Sequence, residues 1–448
     1  MASRLRGVLL RRPSGYYLRR VLPATSTTRD GYYLQGGPAK QLTVRQLAGC
    51  LGKLQSIGPA ILPTRLHSRY LNIAKVASLA AHGRWDGPAW LHAHAVGELH
   101  WWLENLDHWN GRAIVLEPPQ VTIETDASFH GWGAVIVDGK SRRVRKEARG
   151  FWTRKEARQH NNVLELMGVW MALRAFHEDV RGRVVRVCVD NLVTMAYVNK
   201  MGGRAQQLMG IARHIWRWCF ARGITLTASY LPGVENVAAD TLSRVKVDKT
   251  DLRLRPAWFQ FLDGKWGRHS VDLFATRINR QQQRFFSLRP EPESAGVDAF
   301  NQVWADENAF AHPPICLVDR VLQKVDRERA TLTLVAPLWF AQHWYPVLID
   351  MACDFPVVLP RERTLFEPGE SRRLEFDRPA PWLTGAWRIS GDKEQQRVFR
   401  QKLRSSLALL GSRTLSQAMT PPGESGETIA LPRGWTTGLL DRWTSSTY

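Results

Sequence analysis

From Leu42 to about Leu106 apolar residues recur at helical spacing. Leu47, Leu51 and Leu54 stand three and four apart, Gly58-Pro59 breaks the run, and it resumes through Leu71 and Ile73. A small helical domain is predicted there. After Pro118-Pro119 the period changes to alternation: Val121, Ile123 and Thr125 interleave with Thr122, Glu124 and Asp126. Gly131-Trp132-Gly133 then reads as a turn into the strand 134–137. The stretch 140–149, with six Lys/Arg, reads as a basic loop that leads to a third strand at Gly150-Phe151-Trp152. A helix opening at Asn161 carries Val163, Leu164, Leu166, Met167, Trp170 and Leu173, and the β-branched run 184–189 ends on Asp190. Helices over 192–199 and 205–222, a strand over 224–230 and a helix from about Asn236 close the unit. The predicted order is βββαβααβα.

A second α/β unit is expected from His269. Its marks are the strand-like Val271-Asp272-Leu273-Phe274, the pair Pro313-Pro314, a helix over 317–329 and a strand over 331–336. Residues 392–411 are amphipathic and helical, and 420–428 read as a flexible linker. The chain is therefore expected to be multi-domain α/β: a basic arm over 1–30, a helical domain over 31–116, a mixed domain over 117–250, a further α/β domain over 255–390, and a helix plus flexible tail over 391–448.

The 448 residues are enough for two or three ordinary domains, and a 44% hydrophobic content argues against wholesale disorder. Charge adds a partner class. With 62 Lys+Arg against 41 Asp+Glu the net charge is +21, which favours a polyanion such as nucleic acid, although a membrane surface fits as well. No apolar run reaches the ~18 residues a membrane span needs, so a soluble, intracellular protein of cytoplasm or nucleus is expected. Residues 1–29 carry seven Arg and no acid, compatible with a mitochondrial transit peptide but read in preference as a nucleic-acid-contacting arm. The five cysteines lie far apart with no C-x-x-C spacing, which suggests reduced, buried thiols. Trp90, Trp101 and Trp102 among His92, His94 and His100 present two readings, a metal site or an aromatic core; without H-e-x-x-H spacing the core is preferred.

Four acids stand at suggestive points of the predicted order: Asp126 on the first strand, Glu165 in the first helix, Asp190 at the end of the fourth strand and Asp240 in the last helix. Val189 precedes Asp190, Leu164 and Leu166 flank Glu165, and Ala238-Ala239 precede Asp240, so each is held near a core. Converging carboxylates repel unless cations neutralise them, and oxygen-only ligands suit Mg²⁺ or Mn²⁺. Two such ions can support phosphodiester hydrolysis.

The strings ETDAS-FHGWGAV (124–135), NNVLELMGVWMAL (161–173), VDNLVTMAYVNKMGG (189–203) and LPGVENVAADTLSR (231–244) resemble the ribonuclease H domain of retroelement reverse transcriptases, and most of all that of DIRS-like, tyrosine-recombinase-encoding retrotransposons. The resemblance implies a ribonuclease H-like fold and a catalytic, metal-binding set at Asp126, Glu165, Asp190 and Asp240, with two Mg²⁺ or Mn²⁺ ions and an RNA/DNA hybrid as substrate. The stretch 42–71 looks like the thumb and connection of such elements, and no Tyr-x-Asp-Asp polymerase palm motif occurs. VDLFATRINRQQQRFFS (271–287) and VWADENAFAHPPICLVDRVLQKV (303–325) look like the adenine methyltransferase domain that follows ribonuclease H in those elements, implying a Rossmann-like fold over 255–390. That family's Asn/Asp-Pro-Pro-Tyr loop is here His312-Pro313-Pro314-Ile315, which keeps the prolines and loses the amide acceptor and the aromatic ring.

Between 117 and 245 there are 19 Lys/Arg against 12 Asp/Glu. Lys140, Arg142, Arg143, Arg145, Lys146 and Arg149 are the candidates for tracking phosphates of a hybrid, the alternative being a solvated hairpin loop. Trp132, Trp152, Trp216 and Trp218 are read as core in preference to stacking surface. The rival to an endonuclease is a non-catalytic nucleic-acid-binding scaffold that uses the charge without the chemistry.

Overall fold

The computed structural model describes residues 42–58, 61–109, 117–139, 141–245, 252–367 and 382–414; the basic arm at 1–30, Lys140 and the linker at 420–428 lie outside them. The chain is a multi-domain α/β protein. Among the described residues no helix is long and apolar enough to cross a membrane.

The helical domain holds α1 (Val44–Ser56), a 3-10 turn (Leu62–Ser68), α2 (Arg69–His82) and α3 (Ala93–Trp109). Thr43 starts α1 through a capping box, its Oγ1 accepting from the Gln46 amide at 3.2 Å while Gln46 Oε1 accepts from the Thr43 amide. Leu47, Leu51 and Leu54 form the buried stripe that the spacing predicts, packed with Leu71, Leu99 and Trp102, and Val44 is buried with them on the helix. Trp102 supplies core, its Nε1 donating to the His67 carbonyl at 2.7 Å, and Trp101 stacks on the His67 ring, whereas Trp90 is exposed and departs from the core reading. Trp109 meets Phe220 at 4.9 Å and joins this domain to the next.

The second domain contains β1 (Val121–Ala127), β2 (Gly131–Val137), β3 (Val144–Phe151), α4 (Asn161–Ala175), α5 (His177–Val180), β4 (Val184–Val189), α6 (Leu192–Asn199), α7 (Gln206–Ala221), β5 (Thr225–Tyr230) and α8 (Val237–Ser243). The sheet order is β3-β2-β1-β4-β5, antiparallel across β1, β2 and β3 and parallel across β1, β4 and β5. The predicted order holds, with the one-turn α5 added. Two local expectations are corrected. Gly131, Trp132 and Gly133 belong to β2, and the turn is Ser128 to His130, where Ser128 Oγ accepts from the His130 amide. The basic stretch is mostly strand: β3 begins at Val144, and its first four residues are exposed on an outer strand, which is why no alternation marks them. Trp132, Trp152 and Trp216 are buried in this domain's core, and Trp218 packs against Trp170.

The third domain opens with β6 (Arg253–Leu254) and α9 (Pro256–Trp266). Its main sheet, in order β12-β14-β11-β10-β7, comprises β7 (Val271–Asp272), β10 (Asn308–Ala311), β11 (Thr331–Pro337), β12 (Val357–Leu359) and β14 (Thr384–Ser390). Strands β7, β10 and β11 run parallel, and β14 lies antiparallel between β11 and β12. Helices α10 (Val318–Glu328) and α11 (Trp344–Asp350) pack beside it, with short pairs β8 (Phe286–Ser287) with β9 (Gly296–Val297), and β13 (Phe366–Glu367) with β6. The helix expected over 392–411 is α12 (Lys393–Thr414); Phe399 on it meets Phe355 and enters this domain's core.

Arg277 bolts the third domain to the second. It is 11% exposed, makes a two-armed ion pair to Glu156 at 2.8 and 3.2 Å, and donates to the Phe151 carbonyl at the end of β3. Arg289 reaches Glu147 on β3 and Arg174 on α4 reaches Glu293.

Candidate active site

Strands β1 and β4 are parallel neighbours with Glu124 opposite Cys188, so two residues further on Asp126 comes beside Asp190 at their carboxyl ends. Glu165 enters from α4, whose first turn is capped by His160 Nδ1 accepting from the Asn162 amide. Asp126, Glu165 and Asp190 each present an oxygen within 4.8 Å of the others. Among the described residues this is the single group of three or more His, Cys, Asp or Glu side chains arranged to hold a metal ion, so the His92, His94 and His100 stretch is not one.

The fourth acid, Asp240, lies on α8 and is not one of the three that meet within 4.8 Å, but its charge acts on two of them. Alternation sends Asp126 and its cross-strand partner Gly133 to one face of the sheet and Ala127 with Trp132 to the other. Helix α8 lies on the first face, where a Cβ on Gly133 would stand 2.3 Å from the Ala239 carbonyl oxygen; α4 lies on the second, its Gly168 against Ala127 and Trp132. Asp240 raises the proton affinity of both Asp126 and Asp190, and its own Oδ1 is held at 2.7 Å by Arg244, one turn along the helix.

The electrostatics fit an oxygen-liganded divalent cation. Burial, then the charges of Asp126 and Asp190, push Glu165 up to about 9. Burial likewise raises Asp126 and Asp190. Three carboxyls driven towards protonation in one small volume are what remains when anions converge without a counter-charge, and a hard cation relieves that cost.

Three positioning residues were not singled out from the sequence. Ser243 Oγ donates to Asp126 Oδ2 at 2.5 Å, and the Ser243 carbonyl accepts from Ser128 Oγ at 2.7 Å, so the end of α8 grips both the strand and the turn after it. Asn236, wholly buried ahead of α8, donates from Nδ2 to the Thr125 carbonyl at 2.9 Å. Arg244 is the third. Their sequence signal is modest: Ser243 and Arg244 follow Asp240 by three and four residues, which places them beside it on a helix.

Of the basic candidates, Arg142, Arg145 and Lys146 face acids. Arg142, at φ 53°, is drawn onto Glu124 at 2.8 Å and Glu235 at 3.0 Å, Arg145 faces Asp138 at 3.6 Å, and Lys146 pairs with Asp179 at 2.6 Å. Arg143 is exposed, and Arg149 lines a cleft of about 380 Å³ between β3 and the carboxyl ends of β7 and β10. In that cleft His312 stacks on Phe366 at 5.0 Å and 8°, and burial pulls its pKa down to about 4.

No protein-family model matches the chain, and no curated protein does. Solved structures do. LC11-RNase H1, solved with an RNA/DNA hybrid and isolated from compost by a metagenomic approach, is 22% identical over 28% of this chain and 93% of its own, at a TM-score of 0.24. The N-terminal RNase H domain of a Mycobacterium tuberculosis protein, fused to maltose-binding protein, is 19% identical over 28% of this chain and 91% of its own, also at 0.24. The protease-reverse transcriptase of prototype foamy virus is 13% identical over 47% of this chain and 29% of its own, at 0.22.

Proposed function

We propose that the chain is a divalent-metal-dependent endonuclease that cuts the RNA strand of RNA/DNA hybrids, the ribonuclease H of a DIRS-like retroelement's reverse-transcriptase region. The observation that carries the reading is the convergence of Asp126, Glu165 and Asp190 at the end of two parallel strands, with the charge of Asp240 acting on Asp126 and Asp190. Asp126 and Asp190 would hold the ions, with Glu165 and Asp240 completing one each. Mg²⁺ or Mn²⁺ held there would lower the pKa of an attacking water and offset charge on the leaving 3′-oxygen, so that cleavage would leave 3′-hydroxyl and 5′-phosphate ends. The chain's own part is to fix the carboxylates. Ser243 leaves Asp126 Oδ1 open by occupying Oδ2, and α8 sets the distance of Asp240 through its contact with Gly133.

The test is cleavage of a labelled hybrid with and without Mg²⁺. Asp190→Asn keeps the volume and removes an anionic ligand, so cleavage should fall by at least a hundredfold while hybrid affinity in EDTA stays within about twofold. Cutting at the wild-type rate by this variant would refute the site. Binding without any metal-dependent cleavage by the wild type would favour the scaffold.

The third domain belongs, on the same reading, to a methyltransferase-type domain that has lost its chemistry. His312 cannot serve a target base while its ring is stacked on Phe366, and Ile315 supplies no aromatic face, where stacking is worth roughly 1–3 kcal/mol per base. Labelled S-adenosylmethionine incubated with the protein and DNA should give no methyl transfer.

A further inference from the structure

Where do the cations stand that are not consumed by the protein's own acids? On β3 Arg145 and Lys146 face acids, as does Arg142 in the turn before it. At the junction of the helical domain and α7 the opposite holds. Arg65 on the 3-10 turn, Arg204 ahead of α7 and Arg213 and Arg217 on α7 make no ion pair with a carboxylate among the described residues. Arg65, Arg204 and Arg217 are exposed.

Arg65, Arg213 and Arg217 act on the same short stretch, His67 to Tyr70, where the two domains meet, and Arg204 follows the Gly202 carbonyl that Arg69 holds. Arg213 lies over the Tyr70 ring at 4.6 Å. Arg69 Nη2 donates to the Gly202 carbonyl at 3.0 Å and to that of Lys200, which pins α2 to the loop before α7. Both Arg213 and Arg217 depress the pKa of His67 on the 3-10 turn, after the larger effect of burial, and Arg65 does the same to Arg69. Glu98, 2% exposed, accepts from the Tyr70 and Leu71 amides at 3.1 and 2.9 Å and interacts with the charge of Arg213, the only one of the four arginines that acts on it. Like charges are held together at a cost that an external polyanion removes. Gln207, in the first turn of α7, hydrogen-bonds Gln159, two residues before the helix that carries Glu165, so the patch and the acid cluster share a framework.

We infer that the junction of the helical domain with α7 is a phosphate-binding surface for a nucleic-acid duplex, engaged through Arg65, Arg204, Arg213 and Arg217. The inference rests on the ribonuclease H reading only in naming the duplex as an RNA/DNA hybrid. Guanidinium forks match phosphate oxygens in pairs, and such contacts position a duplex without reading its sequence.

The test is equilibrium binding of a fluorescent RNA/DNA hybrid to the full chain in EDTA, where nothing is cut, at salt from 50 to 300 mM. Each phosphate contact contributes about 0.9 to the slope of log K against log salt. The double variant Arg65→Gln/Arg217→Gln should therefore lower the slope by about 1.8 and weaken binding at 0.1 M salt by roughly 10- to 60-fold. Arg65→Lys/Arg217→Lys keeps the charges and should restore most of the slope, which separates charge from packing. An unchanged slope and affinity in the Gln pair would overturn the proposal, as would wild-type protein that binds anionic vesicles but no hybrid. A chain that binds through these arginines and never cuts would sustain the surface and remove the nuclease. One that cuts with both variants binding like wild type would do the reverse.

Discussion

Gly133→Ala is the sharpest perturbation of the proposed site, because it adds one methyl group and touches no carboxylate. Gly133 pairs with Asp126 across β1 and β2 and faces α8. An alanine Cβ there would sit 2.3 Å from the Ala239 carbonyl oxygen, 2.6 Å from Leu242 Cβ and 2.6 Å from the Ser243 nitrogen. Two of those atoms are backbone, so no side chain can rotate out of the way. Carbon–oxygen contacts settle near 3.3 Å, and α8 must retreat by about 1 Å, taking Asp240 and the Ser243 hydroxyl away from Asp126. Overpacking of this kind costs about 1–3 kcal/mol of stability. A displacement of about 1 Å in a positioned group costs on the order of a hundredfold in rate. The assay pairs a thermal melt with single-turnover hybrid cleavage at saturating Mg²⁺ and a Mn²⁺ titration by calorimetry. The variant should still melt cooperatively, at a lower temperature, and should lose far more activity than stability. Wild-type cleavage with an unchanged melting temperature would show that α8 is not held by this contact and that the account of Asp240 is wrong.

Three further outcomes follow from particular contacts. Ser243→Ala removes the donor that lowers the Asp126 pKa, so protons compete better for that carboxylate; Mn²⁺ affinity at pH 7 should fall roughly tenfold and recover at higher pH, and equal affinity at all pH values would count against the role. Burial raises Glu98 to about 7 from an ordinary 4.5, so the folded chain holds this proton more tightly than the unfolded one. Its charging penalty is absent below about pH 4.5 and reaches about 3 kcal/mol above pH 7, so wild-type stability should fall across that window; Glu98→Gln should flatten the fall in a denaturant series at pH 5 and 7.5. Arg277→Met strands Glu156 with no cation at the junction of the second and third domains, which should cost about 3–5 kcal/mol and expose that junction to limited proteolysis, whereas an unaltered digestion pattern would mean the other ion pairs suffice.

The acids were legible because local pattern alone places them: Val189 ends a β-branched run just before Asp190, and Leu164 and Leu166 bracket Glu165 on a helix. Residues whose roles depend on distant packing carried no such mark. Gly133 matters through Ala239, Ser243 through Asp126, and Asn236 through Thr125, each pair more than a hundred residues apart. Strand β3 was read as a loop because an outer strand exposed over 144–147 shows no alternation. A basic loop suggests free cations, while an ordered hairpin brings Arg142 to Glu124 and Lys146 to Asp179. Net charge is a sum and does not say which cations are left over. Pairing in space decides that: Arg142, Arg145 and Lys146 face acids, whereas Arg143 beside them and the arginines of α7 and the 3-10 turn make no ion pair among the described residues, the latter being spaced too widely along the chain to stand out. Counterion release rewards cations that lack a partner inside the protein, so a duplex should feel the dispersed four arginines more than Arg142, Arg145 and Lys146.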